Sequence, residues 1–230
     1  MKNRITGVLG KIDPLSVKID KHRKNVSDLK CKDCYCCIVR EKKVMSTCIL
    51  RWEALYNVKF EWEYIYCCAF QTTTEKTLQS FQYRVLNRYI PCNVNLCKWK
   101  KAESETCNYC NQLDTIEHFL YDCHSTKRLW DEFFDWWYTV SDTTIHCSVL
   151  DIIFGIANPE KNVILNVMDF LIIFVKHFVY KSKLNSKELN IVQLKYELRD
   201  RIVCEKSILL LQNKCNEYYN VWYPIHTSLL

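Results

Sequence analysis

Glycine and proline are nearly absent: three and four residues in a chain of 230. Turns draw heavily on both, so this scarcity argues against a many-stranded β fold and favours long helices. An apolar leader is also missing. The opening stretch "MKNRITGVLGKIDPLSVKIDKHRK" carries charge throughout, unlike a signal peptide, so the chain reads as intracellular (nucleus or cytoplasm) and not secreted. Long apolar runs are lacking too. "VILNVMDFLIIFVKHFVY", residues 163–180, comes nearest, but Asp169 and Lys176 interrupt it. The window between them is far shorter than a bilayer needs, and a charge at mid-bilayer costs about 2.5–3.5 kcal/mol. A buried core helix is the expectation, with no membrane partner. Finally, no two aspartates are adjacent anywhere in the chain.

What is present is cysteine, fifteen in all. In a secreted chain that count would suggest a disulfide scaffold; in a reduced compartment, Cys clustered with His points to metal. The rest of the composition is globular, 49% hydrophobic and 13% aromatic. Charge is unevenly placed. Residues 1–48 carry 12 Lys/Arg against 5 Asp/Glu, whereas the remainder carries 20 against 21. Residues 76–101 hold six basic residues and no acid, and residues 103–142 hold nine acids against two basic residues. The first block reads as a basic arm.

The fold class expected is mainly α: a helical domain with a small Cys/His zinc-binding module inserted between helices. Four segments follow: a basic Cys-rich N-terminal segment at 1–48, a helical lead-in at 49–101, the module with its following helix at 102–140, and a C-terminal helical region at 141–230. The lead-in helix is expected over 72–90, opened by a Thr72/Glu75 capping box and stopped by Pro91. Apolar Leu129, Trp130, Phe133, Phe134 and Trp137 predict a helix over 126–138. Two long helices are expected later, near 161–181 and from an Asn185/Glu188 capping box to about 217. "DIIFGI", 151–156, is either a strand or one helical turn.

The chemistry is concentrated in "CNYCNQLDTIEHFLYDC", residues 107–123. Cys107 and Cys110 form a Cys-x2-Cys pair, which closes a tight loop and offers two thiolates to one ion. His118 and Cys123 are five apart, about 140° out of register on an α-helix, so the chain must leave the helix after about Leu120. Asp114 and Thr115 offer an N-cap for the turn that carries His118. Three thiolates and an imidazole make a closed donor set that suits structural Zn2+. The competing reading is chance: cysteine is so common that "CKDCYCC", 31–37, contains another such pair. A second metal site at Cys31, Cys34, Cys36 and Cys37 lacks a spaced partner pair, and reduced thiols are the simpler reading there.

The longer stretch "FQYRVLNRYIPCNVNLCKWKKAESETCNYCNQLDTIEHFLYDCHSTKRLWDEFFDWW", 81–137, resembles the zinc-binding region that follows the polymerase in reverse transcriptases of LINE-type, non-LTR retrotransposons. That family's pattern falls on Cys107, Cys110, Asp114-Thr115, His118, Cys123 and Trp130, with Asp114 standing where the family has Glu. "Ile152-Ile153-Phe154-Gly155" and Lys176 extend the likeness, which covers roughly residues 50–215. The resemblance implies a structural zinc ion held by Cys107, Cys110, His118 and Cys123, and descent from a polymerase polyprotein. Polymerase activity is not expected, because nucleotidyl transfer needs carboxylates that hold two metals and the adjacent aspartate pair is missing.

Nucleic-acid contact is expected from the acid-free segment. Arg84 and Arg88, four apart on one helical face, would meet phosphates together with Lys98, Lys100 and Lys101, while Tyr83, Tyr89 and Trp99 would stack on bases of RNA or single-stranded DNA. The bland reading is a solvated helix face. Functional alternatives are a helical protein-interaction module and a retroelement remnant without a role.

Overall fold

The computed structural model describes residues 16–19, 22–25, 29–35, 45–156, 162–213 and 215–229. Two compact units divide the chain, Met1–Trp52 and Glu53–Leu230. In the first, strands β1 (Ser16–Ile19) and β2 (His22–Asn25) form an antiparallel hairpin in which Ser16 pairs with Asn25 and Ile19 with His22. A helical turn follows at 31–35, with Cys31 and Cys34 exposed. Cys36 and Cys37, half of the second metal set, lie outside the described residues, as does much of the basic arm.

Helices build the rest. They are α1 (Thr47–Tyr56), α2 (Trp62–Thr72), α3 (Lys76–Leu86), α4 (Asn93–Lys98), α5 (His124–Ser141), α6 (Val149–Phe154), α7 (Val163–Leu184) and α8 (Ile191–Leu211). A wide turn (Tyr218–Trp222) and a short helix, α9 (Tyr223–Ser228), close the chain. The fold is mainly α, as composition required.

Helix α7 is the axis of the core. Ten consecutive buried positions fill its middle, Val167 through Lys176, because the helix is apolar on almost every side. Leu129, Phe133 and Trp137 of α5 and Leu194, Leu198 and Ile202 of α8 bury their stripes in the same core. No helix among the described residues is long and apolar enough to cross a membrane.

Several helix boundaries differ from the sequence reading. The Thr72/Glu75 capping box does not form: Thr72 ends α2, and Glu75 caps α3 without a side-chain bond. Thr73 Oγ1 instead accepts from Glu75 N, and Gln79 Nε2 donates to the Thr73 carbonyl. Helix α3 stops at Leu86, well before Pro91, because Arg88 turns left-handed at φ 55°. Asn185 caps the end of α7, and the start of α8 is capped by Asn190, whose Oδ1 accepts from Val192 N at 2.7 Å. The box that does form is Ser148/Asp151, which turns "DIIFGI" into helix α6.

Helix α6 ends at Gly155, where φ is 99° and the backbone passes close to its neighbours. A Cβ there would meet Cys68 Sγ at 3.3 Å and Asp169 Oδ1 at 3.4 Å. Asp169 Oδ1 accepts from Ile156 N at 2.6 Å, while Lys176 Nζ donates to Gln82 Oε1 at 2.7 Å and to the Ile153 carbonyl at 3.2 Å. This buried polar set joins α2, α3, α6 and α7. Burial lifts the Asp169 carboxyl to about 6 and drops the Lys176 ammonium to about 7.

Candidate metal centre

The site is assembled from a knuckle, a wide turn and a helix start. Thr106 and Leu113 pair across the knuckle in a single bridge. Inside it Cys107 N donates to the Gln112 carbonyl at 2.7 Å, and Asn111 N to the Cys107 carbonyl at 2.9 Å. Asn111 supplies the left-handed turn at φ 57°. The Tyr109 amide points at Cys107 Sγ, 3.5 Å away, a polarity that favours a thiolate. So Cys-x2-Cys spacing presents both sulfurs to one side.

Thr115 is the cap expected: its Oγ1 accepts from His118 N at 3.2 Å. Asp114 has a different task, and its Oδ2 accepts from Asn93 N at 2.8 Å to start α4. His118 then opens a π-helical turn, His118–Asp122, closed by Cys123 N donating to the His118 carbonyl at 2.9 Å. The expected departure from α geometry takes this form. An i→i+5 bond brings Cys123 back over His118, which an α-helix would not do. Cys123 is also the N-cap of α5, and Lys127 N donates to its carbonyl at 2.7 Å.

The four donor atoms lie within 4.8 Å of one another. Cys107 Sγ and Cys123 Sγ are 3.7 Å apart, and Cys110 Sγ is 3.2 Å from His118 Nε2. A tetrahedral ion with metal–sulfur bonds of about 2.3 Å needs its sulfurs about 3.8 Å apart. The sulfur pair therefore spans a tetrahedral edge and is far too long for a disulfide. The residues fit a tetrahedral metal ion, with all four corners supplied by protein. Cys107, His118 and Cys123 are buried, and Cys110 is half-buried.

Electrostatics polarises the set. Burial raises the Cys107 thiol to about 11. At Cys123 burial also works upward, but the Ser125 hydroxyl and amide and the Lys183 ammonium outweigh it, leaving the thiol at about 7. Burial lowers His118, which keeps its ring neutral and able to ligate.

Of three surrounding residues, Lys183 and Glu117 were not foreseen, whereas Trp130 belongs to the pattern already noted. Lys183, near the end of α7, is 9% exposed and donates to the Phe119 carbonyl at 2.7 Å. Its ammonium sits 4.6 Å from the Phe119 ring centroid and 5.7 Å from that of Tyr109, between the two halves of the knuckle. Glu117 receives both Arg88 guanidinium nitrogens, at 2.7 and 3.4 Å. Trp130 Nε1 donates to the Leu120 carbonyl at 2.9 Å, tying α5 to the wide turn. Lys183 stands 64 residues from Phe119 and Arg88 stands 29 from Glu117, and no local pattern announces pairs so distant.

The expected nucleic-acid residues separate into two groups. Arg84 and Arg88 do not share an open helical face. Arg84 Nη1 donates to the Tyr180 hydroxyl at 3.2 Å, and its guanidinium carbon lies 5.3 Å from that ring centroid. Arg88 falls beyond the end of α3 and faces Glu117. Lys98, Lys100 and Lys101 are exposed. Beside them Tyr89, 60% exposed, packs on Trp99 with ring centroids 4.7 Å apart.

Residues 51–130 match the family model described as zinc-binding in reverse transcriptase. All four donors lie inside that stretch. No match was found among curated proteins.

Proposed function

We propose that the chain is a zinc-stabilised domain of retroelement origin, of the LINE type, that binds single-stranded RNA or DNA and has no polymerase activity of its own. Zinc is the ion chosen because three thiolates and one imidazole in a closed tetrahedron favour it over harder or open-site metals. The ion's role is structural: it holds the knuckle, the wide turn and the start of α5 together.

The observation that carries the binding reading is the Tyr89–Trp99 ring pair beside exposed Lys98, Lys100 and Lys101. Exposed rings give bases a sequence-tolerant stacking surface, and adjacent ammonium groups neutralise phosphates. Arg84 and Arg88, engaged by Tyr180 and Glu117, add positive potential at the edge rather than forked contacts. The acid-rich module would repel phosphates, so the strand should follow α4 and its exit rather than the knuckle's outer surface.

A salt titration with a labelled oligonucleotide tests this. Affinity should fall with salt by a log–log slope of about −0.7 per phosphate neutralised, so Lys98→Gln/Lys100→Gln/Lys101→Gln should flatten it by about 2. An unchanged slope with undiminished binding would remove the platform from the reading.

A further inference from the structure

A cavity of about 420 Å³ opens between α5, residues 144–147 on the way into α6, and Tyr121 of the π-helical turn. Asp131, Phe134, Asp135 and Tyr138 line it from the helix. Positions three, four and seven apart fall on one helical face, so these four side chains share one side of α5. Tyr121, Phe134, Ile145 and Cys147 are partly buried and pack against the core. Phe134 also stacks on Trp130, with ring centroids 5.7 Å apart and planes at 25°. Most of the wall is therefore fixed before anything enters. Tyr138 is 52% exposed and leaves much of its ring open.

The rim is acidic and lacks a counter-charge. Asp131 and Asp135 are exposed, and neither has a hydrogen bond or ion pair among the described residues. No lysine or arginine among those residues lines the cavity. Arg128, the nearest arginine along the chain, reaches Glu132 and Glu188 instead. Burial first, then the charges of Asp122 and Asp131, hold the Tyr121 hydroxyl above its usual range, so this wall stays a neutral ring. Carboxylates on a plain helix face need only water. Here two of them border a cavity walled by aromatic rings, whose faces are also negative, and the combined field repels anions and attracts a cation.

Geometry selects the form of that cation. Side chains four apart on a helix have Cβ atoms about 5–6 Å apart, so one forked group can reach both carboxylates. A guanidinium is planar, carries five N–H donors in a fixed fork and stacks on aromatic faces. An ammonium is a compact, strongly hydrated charge and loses more on entering an aromatic-walled site. The volume falls within the roughly 300–1,000 Å³ range of ligand pockets, enough for a side chain but not for a folded element.

We propose that this cavity receives an arginine side chain presented by a basic segment of a partner protein, its guanidinium held between the Asp131 and Asp135 carboxylates and against the Phe134 and Tyr138 rings. The site goes beyond strand binding and does not depend on it. It shares no residue with the Tyr89–Trp99 pair or the exposed lysines, and its charge has the opposite sign.

The test uses the zinc-loaded full chain and three blocked tripeptides, with glycine on either side of arginine, citrulline or lysine. Citrulline keeps the length and planarity of arginine but not its charge. Backbone amide shifts of Asp131, Phe134, Asp135, Ile145 and Cys147 are followed during titration. Glu103 and Glu105, exposed acids of the same acid-rich stretch, serve as the control. The arginine peptide should move the cavity amides saturably and leave the control amides in place. The citrulline peptide should give no saturable shift, and the lysine peptide should bind at least about threefold more weakly. Asp131→Asn/Asp135→Asn alters two exposed residues without changing their size and should abolish binding. Tyr138→Ala should weaken binding by about two- to fivefold, the worth of a cation–π contact at an exposed site. In cobalt-substituted protein, both variants should keep the thiolate-to-metal absorption of the parent, which separates loss of the ligand from loss of the fold. Equal shifts with arginine and citrulline would reduce the cavity to an apolar patch and overturn the proposal. So would lysine binding as tightly as arginine, shifts of equal size at Glu103 and Glu105, binding that survives the double variant, or no saturable response at all.

Discussion

Arg88 Nη1 stands 2.7 Å from Glu117 Oε1, and its Nη2 stands 3.4 Å from Oε2, so the guanidinium fork grips the residue immediately before His118. The side chains are 20% and 11% exposed. This pair fastens the turn after α3 to the segment that brings the His118 imidazole into the Cys/His cluster. Pairs this far from solvent fall between the surface and buried limits, so Arg88→Gln should cost about 1–3 kcal/mol in denaturant unfolding. It should leave the salt slope of oligonucleotide binding nearly unchanged. A slope loss as large as that of the lysine variants would make Arg88 a phosphate ligand after all.

Purified protein should carry a single tightly held zinc ion. Structural zinc in small modules is worth about 10–16 kcal/mol of apparent binding free energy at neutral pH, so a strong chelator should unfold this region. Elemental analysis of Cys107→Ala/Cys123→Ala should find no zinc. Full zinc content in that variant would dismiss the site.

Lys183 should act as the counter-charge of the centre. A zinc ion with three thiolates and one imidazole carries a net negative charge, and the Lys183 ammonium is buried against it. Partners of this kind typically contribute 10–100-fold in metal affinity. Chelator competition should show such a loss for Lys183→Met and a partial rescue by Lys183→Arg. Equal affinity in all three proteins would limit Lys183 to packing.

The core lysine gives a pH signature. Burial lowers Lys176 to about 7, whereas lysine in an unfolded chain titrates near 10.4. Between those values the unfolded chain holds the proton and the folded chain has released it, so stability rises with pH. Below pH 7 the charged ammonium remains in the core at a cost. Raising the pH from 7 to 8 should therefore stabilise the native protein by about 1 kcal/mol relative to Lys176→Met. Parallel pH curves would mean that the Gln82 and Ile153 oxygens keep Lys176 protonated throughout.

Primer extension should be absent on RNA and DNA templates with Mg2+ or Mn2+, since no adjacent aspartate pair is available for two-metal transfer. Incorporation that survives further purification would reveal an unrecognised active site.

The clustering of the four donor residues was legible because their geometry is local. Cys107 to Cys123 is one short stretch, and the five-residue step from His118 to Cys123 already required a break from α geometry. The mainly helical class was legible too, since scarce glycine and proline leave few turns to punctuate strands. The helix edges at Thr72, Arg88 and Asn185 were misread, because capping residues are common and tertiary packing selects which one is used. Thr73 rather than Thr72 makes the turn before α3, for instance, because Gln79 folds back onto its carbonyl.

Sequence by itself determined the donor set, the helical class and the charge blocks, all of which depend on residues close together in the chain. Only the tertiary structure decided which charges are available. It turned Arg88 toward Glu117 and Arg84 toward Tyr180, left Lys98, Lys100 and Lys101 in solvent, and brought Lys183 and Asp114 to the same cleft. The physical reason is that a charged side chain buried by folding must find a partner, and that partner is set by which helices pack, not by which residues are neighbours along the chain.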